Sequence, residues 1–109
     1  MKQTFRYMRL ILMFDLPSVE LYEKKDYQQF KKHLMKSGYI MLQFSIYMKS
    51  LNAASKTNRE IEKIKKHIPP SGNIRILVVT ESQYNNMFIL LGNKKINEIY
   101  NNNERYTKI

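Results

Sequence analysis

The segment YMRLILMFDLP, residues 7–17, restricts the fold more than any other stretch of the chain. From Met8 to Phe14 only one charge, Arg9, interrupts the apolar side chains, and Asp15, Leu16 and Pro17 follow at once. The proline ring fixes φ and disfavours helix at the residue before it, so an extended run has to stop there. Read with period two, residues 5–15 give one wholly apolar face of Met8, Leu10, Leu12 and Phe14. The opposite face carries Tyr7, Arg9, Ile11, Met13 and Asp15. It is too apolar for open solvent yet charged, so a strand partly covered on this side by another subunit is expected. Asp15 falls at a strand end beside a loop, a common location for chemistry in α+β proteins. The plainer use of Asp15 is to cap a turn or to keep the strand end soluble.

The rest of the pattern supplies elements to pair with this strand. Residues 20–37 read as a helix with Tyr27, Phe30 and Leu34 as its buried stripe and Gly38 placed for a left-handed cap. Residues 39–49 alternate cleanly. Ile40, Leu42, Phe44, Ile46 and Met48 face one way, and Tyr39, Met41, Gln43, Ser45, Tyr47 and Lys49 the other. Periodicity alone does not decide between one long strand and two short ones bent near residues 43–45. A second helix is expected over residues 53–67, with Ala54, Ile61, Ile64 and Ile68 inward, ended by Pro69-Pro70 and the turn Ser71-Gly72-Asn73. Residues 74–81 form a further strand, and the polar SQYNN stretch predicts a hairpin to residues 87–91. Strand, helix, strand, helix, strand, strand with amphipathic helices gives an α+β chain, most economically a ferredoxin-like sandwich with both helices on one face of an antiparallel sheet.

With 109 residues the chain is one domain, and no apolar run approaches the ~20 residues of a membrane helix. The start MKQTFRYMR lacks the apolar core of a signal peptide, and there is no cysteine, so a cytoplasmic protein without disulfides or thiolate sites is expected. Nineteen Lys and Arg against nine Asp and Glu leave a net charge of +10, which points to polyanions, nucleic acid foremost. The cations are patterned. Lys56, Arg59, Lys63 and Lys66 recur at steps of three and four as one stripe opposite the isoleucines. Lys24, Lys25, Lys31, Lys32 and Lys36 crowd the first helix, and Arg6, Arg9, Arg75, Lys94 and Lys95 add to the excess. Such rows suit phosphate contacts that position without reading sequence. Ordinary solvated helix faces, partly offset by Glu23, Asp26, Glu60 and Glu62, are the competing explanation.

No nucleophile motif is present, and three glycines leave no phosphate loop. His33 and His67 lack partners at metal-ligand spacing; His67 suits a helix C-terminus and His33 a helix flank. Asp15 therefore stands alone as an acid at a plausible site. Magnesium takes octahedral oxygen ligation, commonly from one or two carboxylates with water and phosphate. A homodimer with its axis near this strand end would bring two copies of Asp15 together. Gln43, Ser45 and Tyr47 could support such a site from the neighbouring strand, or could simply be a polar sheet face at a dimer interface.

Three segments in order, MRLILMFDLP, GYIMLQFSIY and PPSGNIRILVVTESQYNNMFILLG, resemble the CRISPR-associated protein Two family in its type II form, over residues 7–92. The resemblance implies a ferredoxin-like domain over residues 1–95 and a tail, 96–109, whose strand adds to the partner's sheet in a homodimer. The asparagine-rich tail is shorter than the family's pattern. It further implies a scaffold for spacer acquisition that holds a duplex prespacer and bridges dimers of the integrase subunit. Asp15 matches the family's aspartate associated with Mg2+, one ion per dimer here, and with a nuclease activity. A stand-alone endoribonuclease or toxin-type ribonuclease acting on RNA is the alternative on the same fold.

Overall fold

A computed structural model describes residues 7–93. Arg6, Lys94, Lys95 and the tail 96–109 lie outside the described residues. Strand β1 (Met8–Asp15) leads through a loop to helix α1 (Leu21–Lys36), then to strands β2 (Ile40–Gln43) and β3 (Ile46–Leu51). A 3-10 turn (Ala54–Lys56) opens helix α2 (Thr57–Lys65), which is followed by strand β4 (Asn73–Thr80) and the short helix α3 (Glu81–Asn85). The sheet order is β2-β3-β1-β4 with antiparallel pairing throughout, the topology of a ferredoxin-like sandwich.

The apolar face of β1 does what its alternation predicts. Leu10, Leu12 and Phe14 pack with Phe30 and Leu34 of α1, Ile64 of α2, and Tyr39 and Tyr47, so both helices cover one side of the sheet. At the end of α1, Tyr39 N–H donates to the Leu34 carbonyl at 3.0 Å while Gly38 takes φ +96, the expected left-handed exit. Residues 39–49 resolve into two strands, because Ser45 at φ 67 turns the chain between them. Phe44 then sits at the turn, 84% exposed, rather than in the stripe. Ala54 and Ile68 also depart from the inward set: one lies in the 3-10 turn and the other beyond Lys65, where the phase of α2 no longer applies.

The larger corrections concern the second face of β1. Arg9 and Ile11 are already buried there by α3 of the same chain, with Tyr84 and Met48 against Ile11. Likewise the stretch after β4 is not the turn of a hairpin. Thr80 Oγ1 accepts from Gln83 N–H at 3.0 Å and Thr80 N–H donates to Gln83 Oε1 at 2.8 Å, a capping box that starts a helix. Residues 87–91 form no strand, and Phe88, Leu90 and Leu91 are almost fully exposed.

Arg9 explains why α3 docks. Its guanidinium is 1% exposed and donates through Nε and one terminal nitrogen to the two Glu81 carboxylate oxygens, both at 2.8 Å. The Tyr84 ring lies under the same group, 4.1 Å from Cζ, and the remaining terminal nitrogen points at Met48 Sδ. Bidentate geometry and an aromatic face are what a desolvated guanidinium requires. Removing one partner leaves a buried charge unmatched. Arg9→Ala or Glu81→Ala should therefore each cost about 3–5 kcal/mol in denaturant unfolding, and Arg9→Met with Glu81→Leu should recover most of it. Strictly additive losses in the double variant would show that the two groups do not act as a pair.

Candidate functional site

Asp15 is exposed between two buried neighbours, Phe14 and Leu16. The Phe14 ring meets Tyr27, Phe30 and Tyr47 at centroid distances of 5.8, 5.5 and 5.8 Å. Its N–H donates to the Ser45 carbonyl at 3.0 Å, which ties the end of β1 to the β2–β3 turn. Gly72 closes the other side. With φ +118, a Cβ there would stand 2.5 Å from Leu16 Cδ2 and 3.0 Å from the Asp15 carbonyl oxygen. Only glycine permits the β4 entry to approach so closely.

Register then decides what shares a face with Asp15. Asn73 lies directly across from Asp15, and Arg75 across from Met13. Arg75 Nε donates to Asn73 Oδ1 at 3.2 Å. Met13, Phe14, Asp15, Ser45, Asn73 and Arg75 line an open depression of about 330 Å³. A carboxylate, an amide, a hydroxyl and a guanidinium thus border a space large enough for a phosphodiester group. Asn73 is the member sequence reading missed as a site residue, because cross-strand register is invisible to periodicity.

Of the three residues expected around Asp15, Ser45 joins it and two do not, while Arg75, expected only among the phosphate-contacting cations, lies beside it as well. Gln43 is exposed on β2, away from this depression. Tyr47 is 1% exposed in the core, stacked on Phe14, where burial and then Tyr27 push its phenol above the ordinary value. It supports the strand end by packing and presents no polar group to the site. Among the described residues no group of three or more His, Cys, Asp or Glu could hold a metal ion. Asp15 with phosphate oxygens and water suits magnesium, and among the described residues no second carboxylate borders the depression.

The cations sort themselves differently. Lys56, Arg59, Lys63 and Lys66 are exposed along α2 and its ends. Glu60, expected to offset them, instead turns inward and is 6% exposed. It accepts from Tyr39 Oη at 2.9 Å and Lys49 Nζ at 3.2 Å, with Lys63 Nζ 3.8 Å from its other oxygen. Burial, reinforced by the Glu60 charge, pushes the Tyr39 phenol far up, so it stays a donor. Glu62 pairs with Lys65, which leaves Lys56, Arg59 and Lys66 without an ion pair among the described residues. Arg9 leaves the set of phosphate-contacting cations, because its guanidinium is buried against Glu81.

Comparison with known proteins adds a family-level finding. Residues 8–87 match the family model described as CRISPR associated protein Cas2. A protein of Campylobacter jejuni named CRISPR-associated endoribonuclease Cas2 is 43% identical over 102 residues, covering 94% of this chain and 71% of its own length. A protein of the same name from Ligilactobacillus salivarius is 42% identical, covering 90% of this chain and 96% of its own. One from Streptococcus mutans is 44% identical over 87 residues, 80% of each chain.

The close approach at Gly72 is directly testable. Gly72→Ala should destabilise the fold by about 2–4 kcal/mol, combining an unfavourable φ with overpacking against Leu16. Amide chemical shifts should move at Asp15 and Leu16 first. A change in unfolding midpoint within error of the parent would rule out the tight contact.

Proposed function

The chain belongs to the Cas2 family of CRISPR-associated proteins, and on that premise we propose that it is a duplex-binding subunit of spacer acquisition, a scaffold before it is a nuclease. The observation that carries this reading is the α2 stripe, where Lys56, Arg59 and Lys66 are exposed and unpaired among the described residues while Glu60 turns inward. Cations three and four residues apart on one helix follow a phosphate backbone without reading bases. A homodimer would double the +10 of each chain, extending the positive field along a duplex. The exposed apolar residues Phe88, Leu90 and Leu91 suit burial by that second copy. The integrase subunit is the protein partner this role requires.

A second reading, phosphodiester cleavage, is favoured by the depression at Asp15 and by the endoribonuclease names of the relatives. Arg75 would meet a non-bridging phosphate oxygen, Asn73 would orient Arg75, and Ser45 would border the leaving side. Two Asp15 carboxylates, one from each chain, would hold a magnesium ion. When bound, that ion supplies charge neutralisation on the phosphate and a more acidic water. Hydrolysis adds water to phosphorus and releases an alcohol, on DNA or RNA alike.

The two readings separate cleanly by variant. Lys56→Glu, Arg59→Glu and Lys63→Glu together should lower duplex affinity by at least about 100-fold at low salt and flatten the salt dependence by about 2–3 in log–log slope. An unchanged slope would place the duplex on another surface. Asp15→Asn should abolish divalent-dependent cleavage by a rigorously purified dimer and leave duplex affinity within about twofold. Cleavage persisting at the parent rate would remove Asp15 from the chemistry.

A further inference from the structure

His33 and His67 are far apart in sequence, yet their rings stack with centroids 3.7 Å apart and planes 22° from parallel. His33 lies in the last turn of α1, and His67 follows α2, its N–H donating to the Ile64 carbonyl at 2.9 Å. The pair thus spans the outer seam between the two helices, half-buried at His33 and exposed at His67. The α1 side contributes Lys36 and the Ser37 hydroxyl, 3.5 Å from His33 Nε2. From α2 come Glu60 and Lys63. Glu60 is the single counter-charge among them, and Tyr39, Lys49 and Lys63 already share it.

Two imidazolium rings at this separation repel each other, and Lys36 and Lys63 add to the cost. Burial first, then His67, holds His33 below its ordinary value of 6.5, with Glu60 opposing and Lys36 and Lys63 reinforcing. In the free chain the neutral His33 ring is therefore favoured by folding. That stabilisation is complete above about pH 6.5 and is lost as the pH falls through the lowered folded value. A polyanion reverses the sign. Phosphates laid on Lys63 and Lys66, which precede His67 in the exposed α2 stripe, would offset the Lys63 charge that opposes His33 protonation and would attract each added proton.

We propose that the His33–His67 stack is a proton-linked part of the polyanion-binding surface, so that nucleic acid binding draws protons onto the helix seam and tightens as the pH falls. The inference rests on the duplex-binding role proposed above and adds its regulation. By linkage, uptake of one proton raises affinity by up to tenfold for each pH unit between the duplex-bound and the free titration of His33.

The test uses the full chain and a short DNA duplex of mixed sequence at constant ionic strength. The dissociation constant should fall by about five- to tenfold between about pH 8 and pH 6. The His33 ring-proton titration, followed by NMR, should move to higher pH when duplex is bound. His33→Gln with His67→Gln should lose the pH dependence over that window. A His33 titration unmoved by duplex, in the parent chain where folding is not at issue, would overturn the proposal. So would a double variant that keeps the parent's pH slope. Failure to bind duplex at any pH and low salt would instead overturn the polyanion reading, and this one with it.

Discussion

A charge threaded through the middle of a sheet is the constraint from which most of this fold follows. β1 is hydrogen-bonded on both sides, to β3 and β4, so Arg9 cannot reach solvent around an edge. It can be matched only from above the sheet face. Glu81 does this in bidentate fashion and Tyr84 covers the guanidinium. For the match to be available, the chain leaving β4 must turn back immediately as a helix, which the Thr80–Gln83 capping box arranges. An isolated buried ion costs several kcal/mol, more than a short helix costs to form with a cap and an aromatic anchor. One side chain in the first strand therefore dictates the conformation of residues seventy positions later. The same geometry sends residues 87–91 outward, where Phe88, Leu90 and Leu91 leave their apolar surface bare.

At the opposite end of β1 the requirement is reversed: one carboxylate must stay out while its neighbours go in. Phe14 is clamped among three aromatic rings and Leu16 is pressed against Gly72. Asp15 thus projects from backbone fixed on both sides, an arrangement suited to holding a group in place. Ser45 at φ 67 closes the same end of the sheet, and a non-glycine residue in that region costs about 1–2 kcal/mol, as expected where position outweighs local comfort. The depression bordered by Asp15, Ser45, Asn73 and Arg75 is a consequence of these packing choices.

Much of this was legible in the amino-acid order, and the failures have identifiable causes. The stripe Tyr27, Phe30, Leu34 and the exit at Gly38 followed from helical spacing and backbone freedom, and the structure agrees. The apolar face of β1 and the end at Pro17 followed from period two. The cover of Arg9 and Ile11 by α3 was not legible, because sequence cannot say which segment returns over a strand. That cover was nonetheless written as Thr80-Glu81-Ser82-Gln83, a capping-box signature that the polar composition of the stretch disguised as a turn. Glu60 illustrates a different limit. Helical phase put it near the cations Lys56, Arg59 and Lys63, but the demand of the buried Tyr39 hydroxyl and Lys49 for an acceptor turned it inward. Tyr47, grouped by alternation with polar Gln43 and Ser45, went to the core because an aromatic ring gains more beside Phe14 than its hydroxyl loses.

These placements divide the molecule into surfaces with different needs, and the division orders the two proposed activities. The α2 stripe lies over the helix-covered side, away from the depression at Asp15, so a single chain already exposes it. Phosphate contacts of that kind add one by one, and a second copy only lengthens the track. The carboxylate site behaves otherwise. One Asp15 is a weak magnesium ligand set, and among the described residues nothing on the same chain completes it. Its chemistry would therefore switch on with the proposed dimer, whose contacts would also cover the bare apolar residues past α3. The proposed binding surface, which would need one chain, and the proposed metal site, which would need two, would respond differently to dilution. Affinity for a duplex would decline gradually as dimers dissociate, whereas cleavage would vanish with them, which is why duplex binding is proposed ahead of cleavage.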